Sequence, residues 1–64
     1  MGNVDIQVRN EGTIYLFTPI TNVGSEWIAE NVEEPLWFGD SIACEHRFAR
    51  DLAFAMEEDG LIVC

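Results

Sequence analysis

The sequence predicts a small α+β domain: a sheet of about four strands, antiparallel or mixed, with two helices packed on one face. Three observations predict it. Val4, Ile6 and Val8 alternate with Asp5, Gln7 and Arg9, the period-two pattern of a half-buried strand. Residues 13–18 read TIYLFT, β-branched and aromatic, which suits a second strand. Residues 47–60 place Phe48, Leu52, Ala55 and Met56 at i, i+4, i+7 and i+8, one apolar stripe of a helix. The 64 residues make a single domain, whose short chain buries only about 60% of its unfolded surface. At 48% hydrophobic, with four Phe, two Trp and one Tyr, it is too apolar to stay disordered.

Each element follows from local chemistry. Asn10-Glu11-Gly12 is a turn, with Gly12 free to take positive φ, so the first two strands form an antiparallel hairpin. Ile14 and Leu16 share one face of it, Tyr15 and Phe17 the other. One face lines the core; the other is covered by another element or left open to a partner. Pro19 ends the strand, and Thr21 caps a helix running to about Asn31. Val23, Trp27 and Ile28 are its expected inner face, with Val32 just beyond, while Asn22 and Gly24 weaken it.

Glu33-Glu34-Pro35 breaks that helix. Leu36-Trp37-Phe38 is expected to pack the edge of the core as loop or short strand. Residues 41–45 read as a third strand with Ile42 and Cys44 on one face. The major helix then runs from about His46 to Asp59. Gly60 stops it, and Leu61 folds back on Met56. Leu61-Ile62-Val63 makes a final short strand, for an expected order β-β-α-β-α-β.

Charge is the strongest global signal. Twelve acids face three arginines and no lysine, a formal net charge of −9. Such a body repels nucleic acid and anionic membrane and attracts basic surfaces at a salt-sensitive rate. The second helix carries its charges against the macrodipole: Arg47 and Arg50 come early, Glu57, Glu58 and Asp59 late. Each well-placed charge is worth roughly 0.3–1 kcal/mol in the opposite arrangement. A local rule broken this way suggests a use for the charge outside the fold.

Chemistry finds little support. Cys44, His46 and Cys64 are the only soft metal ligands, and their spacing fits no zinc signature. Cys44 and His46 lack the context of a nucleophile and its base. Residues 57–60 lack the calcium-loop pattern. The expectation is a non-enzyme with no catalytic residue, metal or cofactor. Cys44 and Cys64 read as reduced thiols; a disulfide between them is the open alternative, which nothing in the sequence requires. No apolar run spans a bilayer, and the first residues show no signal peptide. Gly2 follows Met1, yet Ile6 stands where myristoylation requires Ser or Thr. A cytoplasmic protein, without membrane contact, is expected.

The acids fall into two sets, Glu26, Glu30, Glu33 and Glu34, then Glu57, Glu58 and Asp59. Each alone reads as solvated surface. Together they can imitate phosphates, which duplex DNA presents about every 1.7 Å of axis. Phe54 sits on the face opposite the apolar stripe, either half covered or an interface anchor. Arg47 is expected to pair with Asp51, and Arg50 to cover Phe54.

The run from Asn10 to Thr21, with Trp27 and the closing Asp59-Gly60-Leu61, resembles a set of small bacterial, plasmid and phage proteins. That likeness is one of core and turn residues and implies a fold rather than a site. In size, acidity and lack of lysine the chain is similar to phage-borne inhibitors of the anti-CRISPR type. That resemblance implies a DNA mimic acting in the host cytoplasm as a monomer or small homo-oligomer. It implies as partner a basic nucleic-acid-binding protein, such as a subunit of a CRISPR effector, with no direct binding to nucleic acid. The residues it would use are Glu26, Glu30, Glu33, Glu34, Glu57, Glu58, Asp59 and Phe54. The alternative is a regulatory interaction module that docks through an apolar sheet face carrying Tyr15 and Phe17.

Overall fold

The alternating N-terminal residues do pair as a hairpin. A computed structural model describes residues 3–64. Met1 and Gly2, and with them the myristoylation reading, lie outside the described residues. Strands β1 (Ile6–Asn10) and β2 (Ile14–Pro19) are antiparallel, with Val8 opposite Phe17. The Asn10 side chain accepts from the Gly12 amide at 2.8 Å, and Gly12 takes φ +97°, so the turn closes on itself. Helix α1 (Asn22–Asn31) follows, then β3 (Leu36–Phe38), β4 (Ser41–Glu45) and helix α2 (His46–Glu58). The sheet order is β1-β2-β4-β3, every ladder antiparallel. The fold is α+β, with both helices contributing to one core on one face of the sheet.

The element order departs from expectation in two respects. Leu36-Trp37-Phe38 is a true edge strand, and Leu61-Ile62-Val63 is not a strand. The last residues make a single parallel bridge, Val63 to Ile6. The reason is visible in the bonding. The Ile62 amide is taken by the Asp5 carboxylate at 3.0 Å, while the Ile62 carbonyl accepts from the amides of both Asp5 and Ile6. A side chain thus replaces part of the ladder.

The core consists of Ile6, Phe17, Trp27, Ile28, Ile42, Ala49, Met56 and Leu61. Each large apolar side chain buried here contributes roughly 1.5–3 kcal/mol. Both helix ends follow the sequence. Thr21 Oγ1 accepts from the Gly24 amide at 3.1 Å and caps α1. At the end of α2, Gly60 has φ +91°, and its amide and that of Leu61 bond back to Glu57 and Met56. Leu61 and Met56 are both buried, which completes the hydrophobic contact of that cap.

Helix sidedness differs from the sequence reading. Ala49 and Met56 are buried, with Leu52 and Ala53 packed beside them, whereas Phe48 is 50% exposed and Ala55 is exposed. The stripe is rotated by about one residue, because alanines at 49 and 53 let α2 approach the sheet closely. In α1, Gly24 rather than Val23 is buried. A Cβ at Gly24 would overlap the Asp5 carbonyl oxygen and lie 2.9 Å from Cδ1 of Ile6. The residue that weakens the helix is the one that lets it touch the start of β1.

Candidate functional site

The acids named from sequence are all exposed: Glu26, Glu30, Glu33, Glu34, Glu57, Glu58 and Asp59. One hydrogen bond joins their two sets. The Trp27 indole Nε1 donates to Asp59 Oδ2 at 2.6 Å. Trp27 is buried in the middle of α1, between Glu26 and Glu30 in sequence, so the C-cap of α2 touches α1 at this point. Asp59 therefore has a structural use. It satisfies a buried indole, which accounts for its place at a helix C-terminus. Among the described residues Glu57 and Glu58 have no such partner and remain opposed to the macrodipole.

The cations gather elsewhere. Arg9 pairs with Glu11 at 2.7 Å beside the β1–β2 turn. Arg47 lies 3.6 Å from Glu45 and stacks over Phe48, 4.9 Å from the ring centre. The expected Arg47–Asp51 pair does not form, and Arg50 makes no ion pair or ring contact among the described residues. These exposed contacts are worth well under about 1 kcal/mol each. Helix α2 is thus charged in opposite senses at its two ends.

Two open clefts flank α2. The first, about 430 Å3, is lined by Val8, Tyr15 and Phe17 from the sheet and by His46, Arg47, Arg50 and Asp51 from the helix. The second, about 550 Å3, lies against β4 and the α1–β3 connection, with Glu33, Glu34 and Glu45 among its lining residues. Both are grooves at the surface rather than enclosed chambers. Cys44 lines the second cleft and His46 the first, and among the described residues no three metal-ligating groups converge. Burial, and then the neighbouring Glu45 charge, push the Cys44 thiol above its usual value, so at neutral pH it is protonated.

The apolar surface is not where the sequence placed it. Tyr15 and Phe17 face the helices; Phe17 is fully buried and cannot anchor a partner, while Tyr15 is half-buried at the first cleft. Among the described residues the exposed large apolar groups are Leu36, Trp37 and Phe38 on the edge strand, Phe48 and Phe54 on α2, Val23 in α1, Ile20 just before it, and Ile62 near the last residues. Phe54 is 62% exposed, one helical turn from Glu58, which suits the anchor reading better than half cover.

Asp5 was passed over in the sequence as a polar strand residue. Its carboxylate accepts from Thr21 Oγ1 at 2.6 Å and from the Ile62 amide at 3.0 Å. Those two bonds hold it below the usual carboxylate value, against the smaller opposing effect of burial. Only an aspartate immediately before the strand's first buried position, Ile6, hinted at this. Among the described residues no helix is long and apolar enough to cross a membrane. No family model, curated protein or solved structure matches the chain.

Proposed function

We propose that the protein is an acidic binding module that occupies a basic, nucleic-acid-binding surface of a partner protein in place of DNA. An inhibitor of a CRISPR-type defence complex is the concrete form of this reading. One observation supports it: Trp27, which stands between Glu26 and Glu30 in sequence, bonds to Asp59, which follows Glu57 and Glu58, on a body with net charge −9. Carboxylates fixed on rigid helices present charge with little ordering cost on binding. Arg47 and Arg50 lie in the first half of α2 and Arg9 on β1, apart in sequence from these acids.

The test uses the intact chain as bait against a DNA-binding defence complex, with and without excess duplex DNA. Capture lost to DNA supports the reading, and capture indifferent to DNA overturns it. The quadruple variant Glu26→Gln, Glu30→Gln, Glu57→Gln, Glu58→Gln should lose binding, and the salt dependence should flatten. Asp59 is left intact, because its removal would strand the Trp27 indole and confuse stability with binding.

A second reading has its own support in the bare edge strand, where Leu36 and Phe38 are 62% and 57% exposed. An accessory module docking there would ignore the four glutamates and respond to Leu36→Ser or Phe38→Ser.

A further inference from the structure

The cleft between α2 and β4 combines two features that seldom coincide. Its floor and walls are apolar: Ile42, Cys44 and Leu52, with Leu36 and Phe48 standing open to solvent. Its lining also carries three carboxylates, Glu33, Glu34 and Glu45. Glu33 and Glu34 make no ion pair among the described residues, and Glu45 has only the loose contact to Arg47 at 3.6 Å. Glu34 is held at φ +49°, a backbone state that side-chain-bearing residues seldom adopt.

We propose that this groove docks an amphipathic basic segment of a partner protein, one with apolar side chains between its arginines or lysines. Charge complementarity selects this occupant. A purely apolar segment would desolvate the carboxylates without compensation. A second copy of this chain would bring another nine negative charges to an already acidic rim. A polyanion is repelled for the same reason. A basic amphipathic segment covers Leu36 and Phe48 with its apolar groups and meets the rim with its cations, whose aliphatic stems also pack on apolar walls. This deepens the proposed function and rests on its premise of a basic partner surface, but it places apolar contact energy in a region distinct from the Trp27–Asp59 acidic region.

The experiment needs no identified partner. Two pentapeptides of equal charge, one alternating arginine with leucine and one alternating arginine with glycine, are titrated into the isotope-labelled full chain and followed by amide NMR. The leucine peptide should bind at least about tenfold more tightly, with shifts concentrated at residues 33–36 and 42–48. Phe48→Ser, at an exposed position, should abolish that preference while leaving the weak binding of the glycine peptide. Glu33→Gln with Glu34→Gln should weaken both. Equal affinities for the two peptides would overturn the proposal, as would shifts spread over residues 26–30 and 57–59. The quadruple variant at 26, 30, 57 and 58 separates the two ideas. If it still binds the leucine peptide in the groove but shows no DNA-competed capture deficit, DNA mimicry fails and the groove stands.

Discussion

The two edges of the sheet are built in opposite ways. At β1 the chain closes on itself. The last residues bridge the edge, Val8 N–H donates to the Cys64 carbonyl at 2.7 Å, and Asp5 ties the strand to both Thr21 and Ile62. At β3 no other described strand pairs with the outer edge, and three apolar side chains are exposed. Exposed edges invite pairing with other chains, and proteins blunt them by brevity, proline and charge. Strand β3 has all three: it is three residues long, follows Pro35, and lies between Glu34 and Asp40. The contrast teaches that one edge is closed by backbone pairing and the other is blunted only by brevity, proline and charge.

The largest test of that contrast compares Ile6→Ala with Leu36→Ala. Ile6 is fully buried at the closed edge, so its loss should cost about 2–5 kcal/mol. A domain of this length has a total stability of roughly 3–10 kcal/mol, so the variant should be largely unfolded by circular dichroism. Leu36 is mostly exposed, and its truncation should cost about 1 kcal/mol or less. Similar losses at the two positions would mean that β3 is not a bare edge.

Next in size is Gly24→Ala. Helix propensity alone favours alanine by roughly 1 kcal/mol. The added methyl would meet the Asp5 carbonyl, which is fixed by the Ile20 amide at 2.8 Å. Overpacking of this kind costs typically about 1–3 kcal/mol, so the clash should win and the urea midpoint should fall. A rise in the midpoint would show that α1 does not rest on β1.

On the open side the sign reverses. Glu34→Gly should stabilise the protein by on the order of 1 kcal/mol, because glycine adopts positive φ without strain. The gain is partly offset by the greater freedom of glycine in the unfolded chain. It should appear as a melting point raised by several degrees. A lowered melting point would mean that the Glu34 side chain has a structural role.

Much of this architecture is legible from local chemistry. The hairpin turn, the Thr21 cap and the Gly60 stop each depend on residues within a few positions of one another. What the sequence hid depends on distant contacts. Asp5 meets Thr21 across 16 residues and Ile62 across 57, and Trp27 meets Asp59 across 32. Helix sidedness was hidden for a related reason. Phe48 and Ala49 head two stripes of equally good helical spacing, and size favours Phe48. Only the close seat of α2 on the sheet favours Ala49. The acidic residues were legible as a set, while the bond that joins their two halves was not.

The smallest effect is the pH dependence that Asp5 gives the closed edge. The carboxylate is held below its usual value of 3.8 by the Thr21 hydroxyl first and the Ile62 amide second. A depressed carboxylate takes up its proton more readily in the unfolded chain than in the folded one. Its stabilisation is therefore fully present above about pH 4 and is lost as pH falls through the folded value. The general repulsion among the acids weakens over the same range and acts in the opposite direction. Asp5→Asn separates the two, because the variant keeps the repulsion and lacks the titration. In urea unfolding, wild type should exceed the variant by a constant margin from pH 5 to 8, and that margin should shrink below about pH 4. A margin that stayed constant into acid would mean that the closed edge does not depend on the ionised carboxylate. The contrast between the two edges would then rest on backbone pairing alone.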